Sequence, residues 1–147
     1  PLIMNNIIAL NGSTTNGVRG RGICDFSGDR ALIAYNDFFN NRIAALLRGG
    51  RDWRLVRNLQ RVEPDPQVIH NIDGPPAFVG RPPRDPELAD KSHFFLSSRG
   101  RKRATDSGNP DPACNDLDGT RNDMGYTGGS FAPGSLSLPT VGSCGIP

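Results

Sequence analysis

Apolar positions in the first half of the chain come in blocks of two to four, each closed by asparagine. The stretch Leu2-Ile3-Met4-Asn5-Asn6-Ile7-Ile8-Ala9-Leu10-Asn11 can be laid on Leu32-Ile33-Ala34-Tyr35-Asn36-Asp37-Phe38-Phe39-Asn40-Asn41. In both copies an apolar start is followed by Asn, two apolar residues and a closing Asn. Between them Gly17, Gly20, Gly22 and Gly28 punctuate a short apolar strand, Ile23-Cys24-Asp25-Phe26. A repeat of roughly 20–30 residues built from short strands is the signature of a solenoid, in which each turn stacks its apolar side on the next. One amphipathic helix is the rival reading of "RALIAYNDFFNNRIAALL", because Leu32, Tyr35, Phe39, Ile43 and Leu46 fall at spacings of three and four. The Asn-Asp and Asn-Asn pairs inside that run favour turns over helix interiors, since their side chains compete for backbone hydrogen bonds. Strands are therefore the preferred reading.

Farther along, prolines recur so often in "VEPDPQVIHNIDGPPAFVGRPPRDPELADKSHFFLSS" that only very short strands fit between them. Ile69 to Ile72, Ala77 to Val79 and His93 to Leu96 are the candidates. Composition agrees with this picture: 18 Gly and 13 Pro against 7 Phe, 2 Tyr and 1 Trp describe turns and short extended pieces rather than long helices. The expected architecture is all-β, in one domain spanning residues 1–129, followed by an extended Ser/Gly/Pro-rich tail over 130–147.

Charge narrows the partners. With 17 Lys and Arg against 15 Asp and Glu, the net charge of +2 gives no general case for nucleic acid or an anionic membrane. No run of about 18 or more apolar residues occurs, so no membrane-spanning helix is expected. The chain starts inside an apolar-polar pattern, with no initiator Met, basic n-region or signal-peptide core, and reads as a processed or partial chain.

Candidate chemistry lies mainly in the second half. In "NDLDGTRNDMG", Asn115, Asp116, Asp118, Asn122 and Asp123 gather hard oxygen ligands around Gly119, a set suited to calcium. The spacing is not that of an EF-hand, and the alternative is a tight turn in which these side chains bond nearby backbone amides. The basic run "RGRKR", with Arg99, Arg101, Lys102 and Arg103, offers a contact for an anionic glycan or partner, or a solvated turn. Cys114 and Cys144 are the expected disulfide pair, pinning the tail back in an oxidising compartment. Cys24, in its apolar strand, is expected to be reduced and buried. Asn11-Gly12-Ser13 is the single glycosylation sequon, with Asn11 as the acceptor.

Catalysis has weaker support. A lyase acting on uronates would draw on Asp25, Asp29, Asp37, Arg30 and Arg42, and a hydrolase would need two facing carboxylates that no spacing identifies. His70 and His93 read as turn or packing residues, and no nucleophile elbow, Walker loop or zinc-protease motif is present.

The order "YNDFFNN", "NIDGPPAFVG", "DPELADKSHFFLSS" and "ATDSGNPDPACNDLDGTRNDMGYTGG" resembles the C-terminal part of bacterial right-handed parallel β-helix proteins, the pectate-lyase-like superfamily. The likeness runs from about Leu32 to Gly129, and its final block is the most specific. It implies a β-helix with Phe78 and Leu96 facing inward and Asn side chains stacking between successive turns of chain. Thr105, where the family has a core Ile, and the basic run before it depart from the pattern. The resemblance does not decide activity, because one fold hosts lyases, hydrolases and plain structural proteins. The expectation is an extracellular structural or adhesive surface protein that associates with itself or with related chains. Binding or cleavage of a polysaccharide is the alternative.

Overall fold

Each apolar block becomes a pair of three-residue strands with an asparagine turn between them. The first block forms β1 (Leu2–Met4) and β2 (Ile7–Ala9), and β3 (Arg21–Asp25) completes a first tier. The second block forms β4 (Leu32–Ala34) and β5 (Asp37–Phe39), completed by β6 (Ala44–Arg48). The structure, a computed structural model, describes residues 1–12, 19–26, 31–80, 91–97, 104–125 and 128–129. It is broadly all-β, with one short α-helix among its strands.

The two tiers are in parallel register, with Leu2 facing Leu32, Ile3 facing Ile33 and Ile8 facing Phe38. The internal repeat read from the sequence is therefore the pairing register itself, and the helix alternative for residues 31–47 is set aside. Helix is lost because Tyr35 and Asn40 both take left-handed backbone, at φ 52° and 49°, turning the chain sharply where a helix would continue. A part of a third tier, β8 (Val68–Ile69) and β9 (Ile72–Asp73), adds to the same ladders. Three three-stranded sheets result, ordered β1-β4-β8, β2-β5-β9 and β3-β6-β7. In the last of these, β7 (Arg51–Trp53) returns antiparallel on β6 through Gly49 and Gly50, whose φ of 59° and 75° suit a two-residue hairpin turn.

Apolar side chains from all three sheets point into one core. Ile33, Phe38, Leu46, Trp53, Val56, Leu59 and Val68 are buried together, with Ile3, Ile8 and Ile23 packed against them from the first tier. Gly22 lets β3 approach β6 closely, since a Cβ there would stand 2.5 Å from the Ala45 carbonyl oxygen. The expected burial of Cys24 is corrected. Strand alternation turns Ile23 and Asp25 inward and leaves Cys24 exposed as a free cysteine.

The helix α1 (Val56–Val62) was not expected from the sequence. Its N-cap position is Leu55, which supplies no side-chain cap; instead the Asp73 carboxylate accepts hydrogen bonds from the Val56 and Arg57 amides, both at 3.0 Å. Val56 and Leu59 bury one side of the helix, while Arg57 and Arg61 stand exposed on the other.

The chain divides into two compact units, Pro1–Pro75 and Pro76–Pro147. The division falls between consecutive prolines, and the expected tail over 130–147 lies outside the described residues. In the second unit Phe78 and Leu96 form an antiparallel bridge, and Phe78 meets Phe94 edge-on at 5.9 Å. Both bridge residues are half-buried. Of the three late strand candidates, Ile69 to Ile72 is split into β8 and β9 by a turn at His70 and Asn71. The other two shrink to this bridge, preceded by a 3₁₀ turn over Lys91–Phe94. Among the described residues no helix is long and apolar enough to cross a membrane.

Candidate functional site: an asparagine ladder, a buried arginine and an acidic loop

Two files of asparagine run from tier to tier. Asn36 Oδ1 accepts from the backbone amide and Nδ2 of Asn6, both at 3.0 Å. Asn71 Oδ1 accepts from the same two groups of Asn36, again at 3.0 Å. Asn36 Nδ2 also donates to the carbonyls of Ile3 and Ala34, so this fully buried amide is bonded to the tiers on both sides of its own. A second file joins Asn11 to Asn41, whose Oδ1 accepts Nδ2 of Asn11 at 2.8 Å. The residue before each ladder asparagine, namely Asn5, Leu10, Tyr35, Asn40 and His70, has positive φ between 49° and 59°. Tyr35 and His70 stack there at 5.0 Å, which makes His70 a turn and packing residue. Each file has a direction. At the first tier the backbone amides and Nδ2 groups of Asn6 and Asn11 donate to the asparagines of the second tier, and both residues are exposed. The sequon Asn11 is part of this ladder, so a glycan on its Nδ2 would share that nitrogen with the bond to Asn41.

Arg48 is the one buried guanidinium among the described residues, at 5 % exposure. It pairs with Asp25 at 3.1 Å and Asp65 at 2.8 Å, and donates to the Ala31 carbonyl and Gln67 Oε1. Beside it opens a cleft of about 500 Å³ lined by Arg51, Trp53, Glu63 and Asp65. Arg51 lies over the Trp53 ring at 4.3 Å and pairs with Glu63 at 2.6 Å, so both carboxylates of the cleft are bound by arginines.

These contacts also place the residues considered for catalysis. Asp25 is held by Arg48, and the buried Asp37 accepts the Gly74 amide; Arg42 is exposed, while Asp29 and Arg30 lie outside the described residues.

The acidic loop is organised around backbone amides. Asp116 accepts from the amides of Asp123 and Gly129, Asp118 from the amide and hydroxyl of Thr120, and Asp123 from the amide of Asp106. Asn115 Nδ2 donates to Gly119 O, and Nδ2 of the buried Asn122 donates to Cys114 O at 2.6 Å. The structure thus brings all five expected ligands into one loop, yet among the described residues no group of three or more His, Cys, Asp or Glu is arranged to hold an ion.

Burial lifts the carboxyl of Asp116 above its ordinary range, opposed by the Gly129 and Asp123 amides and reinforced by the charges of Asp118 and Asp106. Burial does the same for Asp123, whereas the Thr120 hydroxyl holds Asp118 below the range. A carboxyl titration by NMR is expected to place Asp116 and Asp123 above about 3.9 and Asp118 below it. Stability linked to the first two is fully present below the unfolded value and is lost as pH rises through their folded values. That linked to Asp118 is present above the unfolded value and is lost as pH falls through its folded value.

Cys114 is disulfide-bonded and Cys24 is free; Cys144, the expected partner, lies outside the described residues, as do Arg99, Arg101, Lys102 and Arg103. The resemblance implied asparagine stacking between turns of chain, and the files Asn6–Asn36–Asn71 and Asn11–Asn41 are its form here, whereas the Arg48 network had no signal in the sequence. No family model, no curated protein and no solved structure matches this chain.

Proposed function

We propose that this chain is a structural or adhesive component of an extracellular surface, built as a short right-handed parallel β-helix that associates with copies of itself or with related chains. The observation that carries the reading is an investment in repeated geometry rather than reactive groups: two tiers in thirty-residue register, tied by directional asparagine files. A disulfide at Cys114 fits an oxidising compartment. Light scattering on the purified chain tests association: oligomers that grow with concentration are expected, and a monodisperse monomer at high concentration and low salt refutes it.

Polysaccharide binding is the second reading, favoured by the Arg51–Trp53 cleft. Cleavage is less well supported, since Glu63 and Asp65 there are tied to arginines. Release of ultraviolet-absorbing unsaturated uronates from pectate or alginate would favour a lyase over the structural role.

For the acidic loop, the bonds to backbone amides favour a self-sufficient turn over a calcium site. Chelation is accordingly expected to leave the melting temperature unchanged, within about 1 °C. A rise of several degrees on adding calcium, reversed by chelator, would restore the metal reading.

A further inference from the structure

The exposed side of α1 and the tip of the acidic loop carry opposite charge, each beside an exposed apolar side chain. Arg57 and Arg61 are four residues apart, one helical turn, and Arg54 enters just ahead of them; all three are exposed. Among the described residues no carboxylate forms an ion pair with any of the three. Next to Arg61, Val62 is 55 % exposed. In the second unit Leu117 is 54 % exposed, and beside it Asp118 projects from the loop. Residues 104–125 hold Asp106, Asp111, Asp116, Asp118 and Asp123 against the single basic residue Arg121.

We infer that the ridge of Arg57, Arg61 and Val62 docks on the Leu117–Asp118 tip of a second copy of this chain. The inference rests on the self-association reading and gives it a specific contact. Two apolar side chains would meet at the centre while guanidinium and carboxylate pair around them, the arrangement that stable protein contacts favour. Arginine suits the role because its planar fork can grip a carboxylate through two hydrogen bonds. The ridge is firmly placed: α1 is anchored in the core by Val56 and Leu59 and capped by Asp73. The loop tip is likewise fixed, since Asp118 is bonded to Thr120 and Asp116 closes the loop base by accepting the Asp123 amide. Ridge and tip are different surfaces, so the contact is heterologous and can propagate from copy to copy. Burial raises Asp116 and Asp123 most, and the lesser contribution of neighbouring carboxylate charges would be relieved by an arriving guanidinium.

A charge-exchange experiment tests this. The full chain is prepared as R57E/R61E, as D106K/D118K and as the milder D106N/D118N, with melting temperature and circular dichroism confirming folding. Sedimentation velocity at 50 mM and 500 mM salt then follows association. Each charge-reversed variant alone is expected to lose association at least tenfold, and their equimolar mixture to recover it, because every ridge in the mixture has a tip of opposite sign. D106N/D118N, which keeps the loop's acceptor oxygens, is expected to weaken association while the chain stays folded. If wild type and folded variants associate alike, or the mixture fails to recover, the contact is wrong while self-association stands. If wild type remains monomeric under all conditions, the broader reading falls with it.

Discussion

Replacing Arg48 with alanine is expected to destabilise the first unit by about 3–5 kcal/mol, the cost of breaking a buried ion pair by removing one partner. The side chains of Asp25 and Asp65 are 5 % and 9 % exposed, so neither carboxylate can recover its hydration when the guanidinium goes. The Ala31 carbonyl and Gln67 Oε1 lose a donor at the same time. Lysine would restore charge but not the fork that reaches Asp25, Asp65 and Gln67 together, so Arg48→Lys is expected to recover less than half of the loss. Urea unfolding followed by Trp53 fluorescence measures this, since the chain's single tryptophan is buried in the first unit's core. A loss below about 1 kcal/mol for Arg48→Ala would mean that the network is dispensable.

Breaking the ladder at its centre is expected to cost about 2–4 kcal/mol, while breaking it at its exposed end costs about 1 kcal/mol or less. Asn36→Ala orphans the carbonyls of Ile3 and Ala34, the Asn6 amide and one approach to Asn71 Oδ1, at a position with no solvent exposure. Asn6→Ala removes an amide that faces solvent, where water replaces what is lost. Asn36→Asp sharpens the test. The carboxylate still accepts from Asn6, but it places negative charge against the two carbonyls and Asn71 Oδ1, so it is expected to be at least as harmful as alanine at neutral pH. Equal effects at Asn36 and Asn6 would contradict a load carried between tiers.

Much of the first unit was legible because its information is periodic. Leu2 to Asn11 repeats in Leu32 to Asn41, and strands that pair in parallel at that spacing need no further instruction. Cys24 was misplaced because three apolar or small neighbours looked like a buried run, when the strand in fact alternates Ile23 in and Cys24 out. Arg48 was illegible for a different reason: its partners Asp25 and Asp65 lie 23 and 17 residues away, and only the fold brings them to one point. In the acidic loop the residues were legible, and both a calcium site and a turn bonded to backbone amides were open readings. Sequence shows which oxygens are available, but whether Asp116 faces an ion or the Asp123 amide depends on backbone direction.

The cap on α1 has a consequence for the order in which the unit can form. Because the carboxylate that satisfies the helix's first amides belongs to Asp73, 17 residues beyond Val56, the helix lacks its cap until β9 has paired with β5. A seven-residue helix is too short to persist alone in water. Its formation is thereby coupled to arrival of the third tier, and on a chain emerging from the ribosome α1 must wait for sequence not yet synthesised. In hydrogen exchange, the amides of Val56 and Arg57 should open together with those of Ile72 and Gly74, as one cooperative segment.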